Sequence, residues 1–351
     1  MQRRKFPLVG VQDVPLLRDA IMSSTPPAIG FATHVVFDPF MPERLSALGA
    51  ANAVCACDAL IVGPSCRDAV QHARARAAWW GSPDESDQLY SPDIRWAPPV
   101  IVWTSANLLD RVNLWRTCSW LRHRCISHRD VLVIAFDPAP GVSSAPRPRC
   151  SESVADQSDE LLLERLNRAS PWRPARYDRA VALWEKYADA NPERFARACR
   201  RGVEGFPELV SLWEMLSAFF PRKAHDGTLR LSRFDELLLT VLSGEWQTPA
   251  AMFVHASLRE VVSCTGDLFL PRRLDDWVGH GPAPAVERAS GPKSHTPMLS
   301  SVYRLTERGM RLRAEGLTQV AEAPRLPVAG TTAYAPEAPW VLLDDGRLVQ
   351  M

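Results

Sequence analysis

Four short apolar runs in the first part of the chain each end on polar or glycine-bearing residues. The runs cover residues 35–37, 59–62, 100–103 and 131–136. They are rich in β-branched side chains and are separated by stretches of helical character, which is typical of buried parallel strands. The pattern therefore predicts an α/β N-terminal domain with a small parallel sheet over residues 33–137.

Apolar residues at helical spacing lie between these runs. They predict helices over residues 42–51, 67–80 and 108–123. Pro42 falls in the first turn of the first of these helices, where proline is well tolerated. The alternation of strands and helices supports the α/β assignment.

Proline and serine mark two segments outside this domain. Residues 1–32 are predicted to be a loosely attached lead-in segment, and residues 138–158 a Pro/Ser-rich linker. Beyond the linker, apolar residues recur every three or four positions. Residues 159–351 are therefore predicted to form an α-rich C-terminal domain.

The last part of this region has a distinctive order of elements. Helices are predicted over residues 233–242, 249–260 and 268–278, followed by a strand at 301–304 and a final hairpin that turns at 344–346. Three helices followed by strands are the outline of a winged helix-turn-helix. The chain is therefore predicted to end in a winged-helix-like module.

Arg272 and Arg273 are the predicted docking residues of this module. They lie on the helix that would enter a DNA major groove, where arginine contacts phosphates and guanine. Asp275 and Asp276 follow on the same helix and would repel phosphate. Both DNA and a protein remain open as the partner, because winged helices also dock to proteins.

Composition narrows the functional classes. The 351 residues carry a formal net charge of +1, so the chain as a whole is not an electrostatic nucleic-acid binder. None of the eight cysteines belongs to a C-x-x-C pair, which argues against a zinc ribbon or a redox site. The basic N-terminus lacks a signal-peptide core, and no run approaches the roughly 20 apolar residues of a membrane span. We expect a cytoplasmic protein with no metal site and no membrane partner.

Polar residues near the ends of the predicted strands are the candidate ligand-binding residues. Ligands of open α/β sheets bind just past the carboxyl ends of the strands. An arginine beside two tryptophans joins this group, since it could bind an anion next to an aromatic platform. The set comprises His34, Asp38, Asp58, Gly63, Arg76, Trp103 and Asn107.

No motif identifies a reaction. The turn at residues 38–42 contains two prolines and no glycine, which argues against a phosphate-binding loop. Ser105 lacks the G-x-S-x-G context of a hydrolase nucleophile. His123 and His128 are five residues apart, a poor spacing for a metal. Catalytic residues and cofactors therefore stay unassigned.

Several short motifs occur together along the chain. They are the strand segment 34–37, the segment Asp-Ala-Leu-Ile-Val-Gly-Pro at 58–64, Arg76 with Trp79, the stretch 102–114, and Leu-Thr-Glu-Arg-Gly at 305–309 with Trp340 near the C-terminus. In this combination the chain resembles a bacterial family known as domain of unknown function 1835. It departs from the family at 38–40, where the family has a Gly-Asp-Ser turn, and at 110–111, where the family has Glu-Gln. The resemblance implies an architecture and no activity.

The favoured hypothesis is a ligand- or partner-binding α/β domain, with a small anionic ligand, coupled to a winged-helix-like module that docks to DNA or protein. One alternative is an enzyme that acts on a phosphorylated or nucleotide-like substrate at the strand ends. It predicts that His34, Asp58, Arg76 and Asn107 converge in one pocket. The other alternative is a scaffold subunit of a multi-protein complex, which predicts a large exposed apolar patch.

Overall fold

A computed structural model gives the fold of the chain. It describes residues 30–81, 87–136, 153–262, 265, 268–291, 296–315, 323–335 and 337–351. Most of the predicted lead-in (1–29) and most of the predicted linker (138–152) lie outside the described residues.

The N-terminal part contains a four-stranded parallel sheet. Its strands are β1 (Thr33–Val36), β2 (Asn52–Cys55), β3 (Val100–Ser105) and β4 (Val131–Phe136). They lie in the order β2-β1-β3-β4, and every neighbouring pair is parallel. An α/β fold with a small parallel sheet, followed by an α-rich remainder, is confirmed in these general terms.

The position of the second strand differs from the prediction. The strand is Asn52–Cys55, and the apolar run at 59–62 forms an irregular buried segment after it. Leu60, Ile61 and Val62 are fully buried, and the Tyr187 hydroxyl donates to the Leu60 carbonyl oxygen at 2.5 Å. The run is apolar because the segment lies in the core, and burial alone does not require a strand.

In the described part of the chain, three helices lie between these strands and two follow β4. They are α1 (Met41–Ala47), α2 (Ala69–Trp80), α3 (Leu108–His123), α4 (Asp159–Asn167) and α5 (Pro174–Tyr187). The bounds of α3 match the predicted helix at 108–123. Helix α1 ends earlier than the predicted residue 51, since Gly49 adopts a φ of 101° that a helix cannot continue.

Different helices cover the two faces of the sheet. Val36, Ile101 and Trp103 belong to an apolar cluster that includes residues of α1 and α4. Val35 and Val102 face the other way, into the larger cluster that includes residues of α3 and α5. Helix α4, which the sequence assigned to the C-terminal domain, therefore packs on the N-terminal sheet, and α5 from the same predicted domain packs against α3.

The rest of the chain is mainly helical. Its helices are α6 (Glu193–Arg201), α7 (Leu209–Ser217), α8 (Arg233–Val241), α9 (Pro249–Met252), α10 (Ala256–Val262), α11 (Phe269–Val278), α12 (Pro297–Ser300) and α13 (Glu307–Ala314). The helix predicted at 249–260 is divided into α9 and α10 by a turn at 253–255.

Short strands complete the fold. They are β5 (Arg222–Lys223), β6 (Leu229–Arg230), β7 (Val286–Ser290), β8 (Ser301–Leu305), β9 (Pro327–Val328), β10 (Thr331–Thr332), β11 (Trp340–Leu342) and β12 (Leu348–Gln350). Strands β11 and β12 form the predicted antiparallel hairpin at the C-terminus, and β11 also pairs with β5. Strand β7 pairs antiparallel with β8.

Candidate functional site

The carboxyl ends of β1 and β3 lie side by side at the point where the strand order reverses direction, which is where ligands bind in such sheets. Asp38 follows β1, and its carboxylate accepts from the Phe40 N–H at 2.9 Å and from the Ser153 hydroxyl at 2.8 Å. Asn107 follows β3 and caps α3 by accepting from the Leu109 N–H at 2.9 Å. Both side chains therefore hold local structure at this edge.

A buried carboxyl that the sequence analysis did not select lies at the same edge. Asp110 accepts from the Ser105 hydroxyl at 2.7 Å and from the Ser105 N–H at 3.0 Å. Burial raises the pKa of Asp110 to about 6, although the hydrogen bonds from Ser105 oppose that rise. An acidic residue three positions after an N-cap often reaches back to the backbone before the helix, and the spacing of Asn107 and Asp110 carries that signal.

His34 and Trp103 form a pair inside the core. Both are buried, and the Trp103 indole N–H donates to His34 Nδ1 at 3.1 Å. The two rings stack with centroids 6.0 Å apart. The pair lies on the sheet face covered by α1 and α4, and each residue is two positions before the carboxyl end of its strand.

Asp58, Gly63 and Arg76 come together on the opposite face. Arg76 donates to the Asp58 carboxylate, to the Ala59 carbonyl oxygen at 3.0 Å and to the Val62 carbonyl oxygen at 2.5 Å. His34, Asp58, Arg76 and Asn107 therefore do not converge in one pocket. The enzyme alternative required that convergence.

Two further residues complete a network around Asp58. The His72 Nε2 lies 3.3 Å from Asp58 Oδ2, and Arg116 Nη1 lies at the same distance from that oxygen. Arg116 also pairs with Asp87, at 2.6 and 2.9 Å. We call Asp58, His72, Arg76, Arg116 and Asp87 the Asp58 network.

The helices explain how these side chains meet. His72 and Arg76 are four residues apart on α2, so both project from one face of that helix. Asp68 caps the start of α2 by accepting from the Gln71 N–H at 2.8 Å. Arg116 comes from the middle of α3. The spacing of His72 and Arg76 was readable in the sequence, whereas the approach of Arg116 depends on the fold.

Burial, charges and hydrogen bonds within the network shift the pKa values of Asp58 and His72. Burial alone would raise the pKa of Asp58, but the guanidinium of Arg76, a hydrogen bond from His72 and the charge of Arg116 hold it well below its usual range. Burial lowers the pKa of His72 to about 4, against the opposing hydrogen bond with Asp58. His72 is therefore neutral near pH 7. Its Nδ1 accepts from the Cys66 N–H at 3.1 Å, so Nε2 carries the proton and donates to Asp58.

Gly63 is required by the close packing beside Arg76. It has a φ of 83°, and a Cβ at this position would lie 2.3 Å from Arg76 Nη1. Its N–H donates to the Pro327 carbonyl oxygen at 2.9 Å. Gly63 therefore positions a buried turn between the two parts of the chain.

A cavity of about 380 Å³ lies beside the Asp58 network, between the start of α2, the end of α3 and α5. We call it the α2–α3–α5 cavity. Its lining includes aromatic and cationic side chains, among them Arg67, Tyr90, Arg116, Trp120, Arg122 and Trp184. Arg116 belongs to both the network and the cavity. A volume of this size suits a small molecule.

Both predicted docking arginines have partners inside the protein, although Arg272 is only half-buried. Arg273 is fully buried and holds Asp235 with two hydrogen bonds of 2.9 Å. Arg272 donates to the Trp79 carbonyl oxygen at the end of α2, and its guanidinium lies 4.4 Å from the centre of a Trp79 ring. Arg273 therefore lies in the core, and Arg272 joins α11 to α2. The prediction that both arginines face a docking partner is wrong for Arg273, because its guanidinium binds Asp235 inside the protein.

Within the ranges that the structure describes, no group of three or more His, Cys, Asp or Glu residues could hold a metal ion. None of the described helices is long and apolar enough to span a membrane. No protein-family model, curated protein or solved structure matches this chain. The resemblance to domain of unknown function 1835 therefore stays a prediction.

Proposed function

We propose that this protein is a ligand-responsive binding protein. In this proposal the α/β domain holds a small anionic ligand in the α2–α3–α5 cavity, and residues 233–314 form a winged-helix-like module that docks to a protein partner. The observation that carries the proposal is the position of α2. Asp68 and Ala69 at its start line the cavity, and Trp79 at its end contacts Arg272 of α11.

The order and pairing of elements support the winged-helix-like module. Helix α8 is followed by α9 and α10, then α11, and then by the antiparallel pair β7 and β8. Gln247 forms an isolated antiparallel bridge with Tyr303 of β8, which adds a third short segment to the pair. A small antiparallel sheet that packs with helices is the arrangement expected of a winged helix.

The surroundings of α11 favour a protein over DNA as the partner. Helix α11 would be the recognition helix, yet every residue of Phe269–Val278 is buried or half-buried. Arginines near it also have internal acceptors: Arg288 pairs with Asp275 at 3.2 Å, and Arg304 pairs with Glu287 at 2.6 Å. A helix covered in this way cannot reach base edges in a groove without a rearrangement.

Hydrogen exchange of the full chain tests the link through α2. Arg272→Ala removes a cation–π contact and a hydrogen bond, and we expect exchange in α11 and the last turn of α2 to rise roughly five- to tenfold. Arg304→Ala is the matched control, because Arg304 lies 4.4 Å from a Trp246 ring in the same module. The control should leave exchange in α2 unchanged. Unchanged exchange in α2 of Arg272→Ala would overturn the proposed link.

A filter-binding survey tests the choice of partner. With mixed-sequence duplexes at about 50 mM salt, where phosphate contacts are strongest, we expect no retention above that of a non-binding protein. Retention of duplex DNA by the wild-type chain would replace the protein partner with DNA.

A further inference from the structure

We infer that the α2–α3–α5 cavity binds a planar aromatic anion. This inference rests on the proposed function, since it names the ligand class of the same site. It draws on three independent properties of the cavity: its aromatic lining, the balance of its charges, and buried donors among its lining residues.

The aromatic side chains give the cavity ring-shaped contact surfaces. Tyr90 and Trp120 meet edge to face with ring centroids 5.1 Å apart, and His123 stacks on Trp120 at 5.6 Å. Trp184 lines the same cavity. Aromatic rings arranged in this way accept a further ring by stacking or edge contact. At about 380 Å³ the cavity suits one or two fused rings with a short substituent.

The charges of the lining favour an anion. Arg67, Arg116 and Arg122 line the cavity together with only two carboxylates, those of Asp68 and Glu185. The Asp68 carboxylate is already used as the cap of α2. Arg116 is committed to the buried carboxylates of Asp58 and Asp87. Arg67 and Arg122 pair with Asp189 and Asp178, and both arginine side chains are about half exposed, so an anionic ligand can compete for these two guanidinium groups.

Arg122 is the arginine best placed to exchange partners. It pairs with Asp178 across the surface, where the two side chains are 45% and 60% exposed. Exposed pairs of this kind contribute only about 0.2–1 kcal/mol, so a ligand carboxylate can compete for Arg122 at little cost.

Two buried N–H groups of lining residues have no acceptor within the part of the chain that the structure describes. Within the described residues, neither Arg116 Nε nor Trp120 Nε1 has a hydrogen-bond partner, and Arg116 is fully buried. Buried donors are normally satisfied, because leaving one unpaired costs about 1–3 kcal/mol. Neither nitrogen has accessible surface, so a ligand oxygen in the cavity would accept from either one only after a side-chain shift.

Calorimetric titration of the full chain with three related probes tests the ligand class. Indole-3-acetate has a planar ring and a carboxylate, indole has the ring alone, and tryptamine has the ring and a cation. We expect indole-3-acetate to bind, indole to bind at least about tenfold more weakly, and tryptamine to show no binding; the tenfold difference corresponds to about 1.4 kcal/mol. Absence of indole-3-acetate binding, or equal binding of tryptamine, would overturn the inference.

Variants locate the site of binding. Trp120→Phe keeps a ring but removes the indole N–H, and Arg122→Gln removes a cation; each should weaken indole-3-acetate binding roughly three- to tenfold. Arg168→Gln is the matched control, since Arg168 forms a similar exposed pair with Glu164 at 2.8 Å. Binding that neither cavity variant weakens would place the ligand elsewhere and contradict the inference.

The outcomes separate this inference from the proposed function. If indole or tryptamine binds best and Trp120→Phe weakens that binding, the ligand class is wrong while the ligand-binding role of the cavity stands. The link from the cavity to the C-terminal module is decided separately by the hydrogen-exchange experiment on Arg272→Ala.

Discussion

Each half of the chain buries an aspartate that is paired with arginine, and the two clusters differ in how completely their donors are satisfied. Around Asp235, Arg273 donates twice to the carboxylate and also to the carbonyl oxygens of Pro324 and Arg325, at 3.0 and 3.1 Å. Trp277 adds a further hydrogen bond to Asp235 at 3.0 Å. The side-chain polar atoms of Asp235, Arg273 and Trp277 all bind one another or the backbone, and we call these three residues the closed cluster. The neighbouring Asp276 Oδ2, 3.6 Å from Arg273 Nη1, has no hydrogen-bond partner among the described residues.

The Asp58 network differs because, among the described residues, some of its buried donors have no acceptor; we call it the open network. Asp58 is shared by Arg76, Arg116 and His72, and in the described part of the chain Arg76 Nε and Arg116 Nε have no acceptor. Arg116 also borders a cavity. Among the described residues, the unpaired donors of the Asp58 network fit the ligand site proposed above, whereas Arg273 and Trp277 leave no donor unpaired.

The largest expected effect comes from breaking the closed cluster. Arg273→Met leaves Asp235 buried without its only guanidinium hydrogen-bond donor among the described residues, and we expect a loss of about 3–5 kcal/mol in the free energy of unfolding. Urea denaturation measures the loss. Asp235→Leu combined with Arg273→Met should recover most of it, because no uncompensated charge remains.

Arg76→Met is the matched variant in the open network. Asp58 would keep Arg116 and His72, so the expected loss is smaller, about 1–3 kcal/mol. Equal losses for Arg273→Met and Arg76→Met would contradict the distinction between a closed and an open cluster.

The next effect concerns the neutral histidine of the open network. Burial holds the pKa of folded His72 at about 4, below its ordinary value of 6.5. The unfolded chain therefore binds a proton as the pH falls through 6.5, while the folded chain resists until about pH 4. Stability is lost over this window, by about 3 kcal/mol for a shift of this size.

His72→Gln removes this titration, and its amide oxygen can still accept from the Cys66 N–H. The wild type should therefore lose about 3 kcal/mol more than the variant between pH 7 and pH 4. Urea midpoints and slopes at both pH values provide the measurement. Parallel losses in the two proteins would show that His72 does not control acid sensitivity.

The hydrophobic pattern predicted β1, β3 and β4, which contain runs of β-branched residues, and missed β2, which has no such run. Strands β1, β3 and β4 contain runs of β-branched residues, which fit a buried pleated surface. Strand β2 reads Asn-Ala-Val-Cys and has a single β-branched residue. Its place in the sheet comes from pairing with β1, which is a tertiary contact that the local sequence does not encode.

The sequence likewise predicted only some members of the Asp58 network. Asp58 and Arg76 were selected as ligand-binding residues, and the structure brings them together. Arg116 was missed because it lies 58 residues from Asp58, and nothing in a helical pattern distinguishes a buried arginine from an exposed one. Arg273 was assigned to a surface for the same reason. Charged residues reveal their burial only when their partners are known.

Asp110 is a buried aspartate whose hydrogen bonds come from Ser105 and not from an arginine. It therefore shows how a buried carboxyl of this protein behaves without a guanidinium donor. Burial places the pKa of folded Asp110 at about 6, above its ordinary value of 3.8. The folded state therefore favours the protonated carboxyl, and its stabilising contribution is complete below about pH 3.8. That contribution is lost as the pH rises through 6, at a cost of roughly 2–3 kcal/mol for this shift.

Asp110→Asn stays neutral and keeps an oxygen that accepts from Ser105. The variant should match the wild type near pH 4 and exceed its stability by roughly 2–3 kcal/mol at pH 7. Glu164→Gln, at a surface carboxylate that is 49% exposed, is the control and should show no comparable gain. Urea denaturation at both pH values decides the point. If Asp110→Asn is more stable than the wild type at pH 7, burial of this ionised aspartate costs stability in the absence of direct guanidinium hydrogen bonds. If the two proteins are equally stable at both pH values, the hydrogen bonds from Ser105 alone are enough to stabilise the ionised form.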